Sequence, residues 1–261
     1  MEVLFDDLTT LLATQFLLKW PDLASAKKAG AAGLRKFFCG HNCRSAKTIE
    51  QRLQALEKAQ PLTTDPALIE PAVLKVKALA GMLKVLHEAI EEIESQTNRA
   101  MDAHPDAPLF RSFPGAGPVM APRLLVAFGT NRERFESAQE TQQFYGIAPV
   151  KKQSGQSKVI HMRYRCPKFG RQTFHENAGH ALRKEGWTKE FYDQQRERKK
   201  GYHAAVRSLS FKLIRIYFRC WKNSQPYETA RYEKALHTHG SPLSAALKNQ
   251  STKPLNKCEQ L

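Results

Sequence analysis

Acidic residues are scarce in this sequence: 25 Asp and Glu stand against 41 Lys and Arg, a formal net charge of +16 and a pI near 9.7. Such an excess costs self-repulsion in the compact chain, and a polyanion is the partner that relieves it. Long apolar runs are also missing, which excludes a helix spanning a bilayer, so no membrane is expected as a partner. Met1 is followed by Glu2, Asp6 and Asp7 rather than by a basic and then apolar stretch, so no signal peptide is expected. Cysteines are few, odd in number and scattered (Cys39, Cys43, Cys166, Cys220, Cys258), which argues against a disulfide framework and for a reducing compartment. Cys39 and Cys43 lack a second Cys/His pair at ligand spacing, so free thiols are the expectation and no metal site is assigned. The adjacent Asp6 and Asp7 read as an N-terminal charge pair, because neighbours on a helix point in different directions.

What is present is a globular composition with 41% hydrophobic residues and 14 Phe, enough for a core in a chain of 261 residues that divides into two units. The charge is uneven. From Val150 to Lys222 there are 19 Lys and Arg against 5 Asp and Glu, nearly the whole excess, while the first hundred residues are close to balanced.

Residues 1–44 carry apolar clusters (Leu11, Leu12, Phe16, Leu17, Leu18, Trp20, then Leu34, Phe37, Phe38) that predict short core helices, with Pro21 closing the first. Residues 45–104 carry a heptad tract. Ala46, Ile49, Leu53 and Leu56 are followed, after Pro61 and Pro66, by Ile69, Ala72, Val76, Leu79, Leu83, Leu86, Ile90, Ile93, Thr97 and Ala100. This alternation of three and four predicts a coiled-coil hairpin whose longer arm reaches a second subunit; one long helix on a larger core is the plainer alternative. His104-Pro105-Asp106-Ala107-Pro108 predicts a domain boundary.

Residues 109–227 hold the chemistry. Phe113-Pro114-Gly115-Ala116-Gly117-Pro118 lies between an apolar turn and an apolar helix containing Val119, Leu124, Leu125 and Phe128. Gly115 and Gly117 allow a tight turn and close approach to a phosphate, the following helix N-terminus offers free N–H groups, and Arg123 adds charge. The pattern is like a helix-hairpin-helix; a plain glycine turn fits as well. After Tyr145-Gly146-Ile147-Ala148-Pro149 comes a polar loop with Lys151, Lys152, Ser154 and Gly155. A serine before glycine among cations can serve as a nucleophile toward phosphate, although most Ser-Gly pairs are turns. Lys158, His161, Arg163, Arg165, Lys168 and Arg171 then alternate with Val159, Ile160, Met162, Tyr164 and Phe169, which predicts a short strand or β hairpin suited to phosphate contact and base stacking. A helix over about His203–Lys222 has a core stripe (Val206, Leu209, Leu213, Ile216, Tyr217, Cys220) and a basic stripe (Lys212, Arg215, Arg219, Lys222) at three-four-three spacing. Residues 228–261 read as a polar tail. The fold class expected is mainly α.

Taken in order, Phe113-Pro114-Gly115-Ala116-Gly117, Arg134-Phe135, Tyr145-Gly146-Ile147-Ala148-Pro149, Ser154-Gly155, Arg171-Gln172-Thr173-Phe174 and Pro226-Tyr227 resemble the C-terminal half of the 110 family of insertion-sequence transposases. These are DEDD/serine recombinases guided by a bridge RNA, and the heptad tract resembles the coiled coil that precedes this domain in the family. The resemblance implies DNA strand cleavage and exchange, with Ser154 as the residue that matches the attacking serine. Lys151, Lys152, Lys158 and Arg163 would hold phosphates. It implies DNA, a structured guide RNA, a homo-oligomer through the coiled coil and a full-length transposase as partners, in a prokaryotic cytoplasm at the nucleoid. It implies Mg²⁺ only with a RuvC-like domain. The sequence shows neither the β/α alternation nor the spaced acids of such a domain, so a truncated member is the expectation. The alternative reading is a non-catalytic DNA- or RNA-binding remnant or regulator; a helical assembly protein whose charge neutralises an acidic partner is the third.

Overall fold

The computed structural model describes residues 4–183 and 186–244, and it is mainly α, as the periodicities predict. The chain forms two compact units, residues 1–95 and 96–261.

In the first unit, α1 (Leu11–Lys19) starts where Thr10 caps the amide of Ala13, and α2 (Leu23–Lys28) starts on a reciprocal Asp22–Ser25 capping box. Then follow α3 (Gly30–Gly40) and α4 (Ala46–Lys58), the latter capped by Ser45. Their shared core is aromatic: Phe5, Phe16, Trp20, Phe37 and Phe38 meet edge-on and stacked, with centroids 5.1–6.4 Å apart. Arg52 lies over Phe5 and Phe38 while its Nε donates to the Leu4 carbonyl and Nη1 to Cys43 Sγ. Cys43 is thus a hydrogen-bond acceptor, and among the described residues no three His, Cys, Asp or Glu converge as a metal site. Asp7 accepts from both the amide and hydroxyl of Thr9, which holds its carboxyl below the usual range.

The heptad tract divides. Ile49, Leu53 and Leu56 of α4 are buried with the aromatic core, and α4 packs on α2 and α3. The long α5 (Pro66–Asp102) is one helix. Its inward face runs through Val73, Val76, Ala80, Leu83 and His87, with Ala80 buried and His87 Nε2 at 2.9 Å from the Thr9 carbonyl. This face is rotated from the predicted seam, so Leu79, Leu86, Ile90 and Ile93 stay more than half exposed.

The boundary between units falls inside α5, earlier than the prolines suggest. Met101 is buried in the second core together with Ala107, Leu109 and Phe110 of α6 (Ala107–Arg111), so the last turn of α5 belongs to the domain that follows it. That domain continues through α7 (Met120–Phe128), α8 (Ala138–Phe144), strands β1 (Val150–Ser154) and β2 (Ser157–His161), α9 (Lys168–His180), a 3₁₀ turn (Ala181–Arg183), α10 (Trp187–Glu197), α11 (Tyr202–Lys222) and α12 (Thr229–Thr238). Pro122 sits in the first turn of α7, where no helical bond is due, so it breaks nothing.

The axis of the core is α11, which packs on α8, α9 and α10 and buries Val206, Leu209, Leu213, Ile214, Tyr217 and Trp221. Residues 229–244 are not a tail: Leu236 and Leu243 are buried in this core, the Tyr232 ring packs at a tilt on Trp187, and Trp187 Nε1 donates to the Tyr227 hydroxyl at 2.7 Å. Residues 245–261 lie outside the described residues.

Gly115 shows what the glycine turn is for. It has φ +75°, and a Cβ there would lie 2.5 Å from the Ala181 amide nitrogen and 2.9 Å from the Asn177 carbonyl, so the turn is pressed against the end of α9. Gly117 faces open space. Gly115→Ala is therefore expected to cost roughly 3 kcal/mol from left-handed strain and overpacking, and Gly117→Ala under about 1 kcal/mol. Thermal unfolding followed by circular dichroism checks this; equal losses at the two positions would contradict it.

Candidate nucleic-acid interface

The serine sits on a hairpin. β1 and β2 pair antiparallel from Val150↔His161 to Ser154↔Ser157, closed by the two-residue loop Gly155-Gln156. Gly155 takes φ +54° at the first central position, the requirement of a type II′ turn. Ser154 thus ends its strand at the tip of an exposed ribbon, and among the described residues its Oγ has no hydrogen-bond partner. Strand alternation puts Ser154, Ser157, Val159 and His161 on one face and Gln153 and Ile160 on the other. The register sets Lys151, Lys152 and Lys158 opposite Ile160, Val159 and Gln153; their side chains lie outside the described residues.

The base of the hairpin is built by the Tyr-Gly-Ile-Ala-Pro segment. Tyr145 is buried, its hydroxyl donates to the Ala127 carbonyl, and Arg134 Nη2 reaches that hydroxyl at 3.4 Å. A Cβ on Gly170 would lie 2.1 Å from the Tyr145 ring, so the first turn of α9 lies flat on it. Gly146, at φ +65°, leaves room for Cys166 and the Arg163 carbonyl where the chain leaves the hairpin. Two contacts therefore tie the ends of the hairpin together, Gly170 on the Tyr145 ring and Gly146 on Cys166 and the Arg163 carbonyl. Burial pushes the Tyr145 phenol up, with the Arg134 charge opposing, which keeps the ring a neutral donor.

Beyond the hairpin, Arg163, Arg165 and Lys168 are exposed, while Arg171 is half-buried and donates to the Arg163 carbonyl at 3.3 Å. Arg123 is not free for phosphate. It pairs with Glu176 at 2.5 Å and lies over Phe169, fixing α7 to α9. Lys222 is also spoken for, donating to the Arg132 carbonyl at 2.7 Å and pairing with Glu133 at 3.2 Å. The basic stripe of α11 reduces to Lys212, Arg215 and Arg219. Arg215 and Arg219 are exposed, and Lys212 is half-buried over the rings of Phe191 and Trp187.

The glycine turn lines a cavity of about 660 Å³ with Arg111, His180, Arg183, Trp187 and Thr188. Behind it, Asn177 donates to the Pro114 carbonyl at 3.1 Å, and the Tyr217 hydroxyl lies 2.8 Å from Asn177 Oδ1 and 3.0 Å from that carbonyl. Phe113 stacks on Tyr217 at 4.0 Å. Asn177 carries no sequence signal of its own; only its tertiary partners reveal it. The Pro226-Tyr227 pair returns to this end, with the Tyr227 amide donating to Ser112 Oγ at 2.7 Å.

Residues 107–193 match the model of the Transposase IS116/IS110/IS902 family. Among curated proteins, the chain is 27% identical over 221 residues to the "Insertion element IS110 uncharacterized 43.6 kDa protein" of Streptomyces coelicolor, covering 83% of this chain and 53% of the relative. It is 25% identical over 205 residues to the mini-circle protein for IS117 of the same organism, covering 77% and 48%. It is 23% identical over 208 residues to the "Insertion element IS900 uncharacterized 42 kDa protein" of Mycobacterium paratuberculosis, covering 78% and 51%. The chain spans about half the length of the curated relatives it matches.

One titration follows from the packing of α9 on α11. His175 faces His203, with ring nitrogens 3.5 Å apart. Burial, then the Arg207 and His203 charges, lower its pKa from 6.5, with Glu176 opposing. The unfolded chain then takes up a proton that folded His175 resists, so stability is full above about pH 6.5 and falls as pH drops through the folded value. Urea unfolding at pH 7.5 and 5.5 is expected to show a smaller acid loss in His175→Gln; an identical loss in both proteins would rule this out.

Proposed function

From the match of residues 107–193 to the Transposase IS116/IS110/IS902 family, we propose that the chain acts in the transposition of an insertion sequence, binding DNA and attacking it through Ser154. The observation that carries this reading is the hairpin: a serine at the solvent-exposed tip of a basic ribbon whose two ends are tied together at the Tyr145 ring and Gly146. A nucleophile that must reach a phosphodiester inside a duplex groove needs that projection, and a rigid base keeps it in register.

The step is a transesterification. Ser154 Oγ gives up its proton to a base and forms an O–P bond; the bridging deoxyribose oxygen leaves with the electron pair of its P–O bond and takes a proton. The phosphoserine ester conserves the bond, so a second sugar hydroxyl can reverse the attack on a different strand and complete exchange. Arg163, Arg165 and Lys168 beside the hairpin supply charge toward the phosphate oxygens. Among the described residues no three His, Cys, Asp or Glu converge, so the residues here do not fit Mg²⁺ and no step is routed through it. We assign Mg²⁺, and the base, to a RuvC-like domain outside these residues. The glycine turn contributes a grip on backbone phosphate through Gly117 to Val119, the exposed side of the turn just ahead of α7. A structured guide RNA belongs to the same proposal. No described helix is long and apolar enough to cross a membrane.

The exposed row Leu79, Leu86, Ile90 and Ile93 supports pairing of α5 with a second copy as a coiled coil. Ile90→Lys is expected to lower self-association in sedimentation velocity with the helical spectrum unchanged; an unaltered sedimentation profile would count against the pairing.

Among the described residues the Ser154 Oγ has no hydrogen-bonded base, and this is what favours the second reading, a non-catalytic DNA- or RNA-binding protein. The two separate cleanly. Incubated with a nicked insertion-sequence end, its guide RNA and a RuvC-like partner, the wild-type chain is expected to form a covalent protein–DNA adduct that Ser154→Ala abolishes. An adduct that survives Ser154→Ala, or binding without any adduct, would sink the catalytic assignment.

A further inference from the structure

A second basic site lies outside residues 107–193, between α11 and the segment that composition alone marks as a tail. A cleft of about 650 Å³ opens between α11 and α12. One wall is the row Lys212, Arg215 and Arg219, which spans roughly 10 Å of helix. The other wall presents Arg231 of α12 and His239 just after its end, and Glu228 is the acid that lines it. Arg231 is exposed, and its Nη1 donates to Gln225 Oε1 at 3.3 Å, which holds the guanidinium at the rim. Among the described residues Arg215, Arg219 and Arg231 have no carboxylate partner, whereas Lys222, one turn beyond the row, is neutralised by Glu133. Nothing from residues 144–171 lines the cleft, so it is separate from the serine hairpin.

Cations three and four residues apart on one helix repel. The cleft shows that cost: burial, then the neighbouring Arg215 charge, lowers the Lys212 ammonium below its ordinary range. A fold that holds four cations around a concavity and leaves three unpaired is poised for a multivalent anion, and guanidinium forks on both walls match phosphate oxygens. We propose that the α11–α12 cleft grips the phosphodiester backbone of a nucleic acid, as a contact separate from the one at Ser154. This rests on the nucleic-acid-binding reading above and makes α12 part of the interface. A linear arrangement of guanidinium groups along one helix, closed by a second helix, follows a charged strand better than a compact carboxylate peptide.

The test measures how binding to duplex DNA, single-stranded DNA and a structured RNA falls with salt, for the full chain and for Arg215→Ala/Arg231→Ala. Both residues are exposed, so the variant is expected to fold, and its near-ultraviolet circular dichroism verifies that. Whichever nucleic acid occupies the cleft is expected to bind the variant at least about tenfold more weakly. Its salt slope would drop by about 1.8 for duplex DNA or about 1.4 for a single strand. A wild-type chain that binds all three without salt dependence, or binds none, overturns the nucleic-acid reading and the cleft with it. Wild-type binding whose slope is unchanged by the double substitution in all three arms overturns the cleft alone. Loss of binding to an acidic polypeptide instead, with nucleic-acid slopes intact, assigns the cleft to a protein partner and also overturns the proposal.

Discussion

The second unit depends on one buried knot. Asn177 of α9, Tyr217 of α11 and the Pro114 carbonyl share hydrogen bonds in a space closed by Phe113 stacked on Tyr217. Burial raises the Tyr217 phenol well above its ordinary range, so it stays a neutral donor. Three distant pieces of chain meet there, and each carries a surface proposed to bind nucleic acid: the glycine turn, the helix that leaves the hairpin, and the helix that carries the basic row. A buried polar network of this kind stabilises only when complete, which makes it a device of position as much as of stability.

From the knot outward, the surfaces separate by function. Arginines that look alike in sequence divide into two classes. Arg123 and Arg132 are half-buried and paired with Glu176 and Asp106, the first joining α7 to α9 and the second joining the loop after α7 to the residue that precedes α6. Arg163, Arg165, Arg215, Arg219 and Arg231 are exposed and face outward on the hairpin exit and along the cleft. The positive charge needed for a polyanion is thus carried by residues that take little part in holding the fold, so binding and folding can be altered independently.

Much of this was legible in sequence. The mainly α class, the limits of α11 and the turn at Gly155 follow from spacing and turn chemistry alone. A strand was readable from the alternation around Val159, but neither its end at His161 nor its partner was, because Val150–Ser154 alternates only weakly and reads as a polar loop. The α12 helix escaped notice: Tyr232, Leu236 and Leu243 are its links to the core, and Gly240-Ser241-Pro242 interrupts them. The boundary at Pro105 and Pro108 was misplaced because prolines punctuate helices without dividing cores, and Met101 and Ala107 fill the same one. In α5 the periodicity gave the helix, but two adjacent apolar faces satisfy it, and only packing selects the one through Ala80. For Arg123 and Lys222 the sequence shows charge and spacing, while Glu176 and Glu133, their partners, lie 53 and 89 residues away.

A clamped hairpin is proposed above to present Ser154 to a DNA backbone. Amide hydrogen exchange of the full chain, with and without duplex DNA at low salt, addresses it directly. Exchange is expected to slow on DNA binding over residues 150–171, with the amides of α9 around Asn177 already slow in the free protein. DNA binding that leaves the exchange of residues 150–171 unchanged would contradict it.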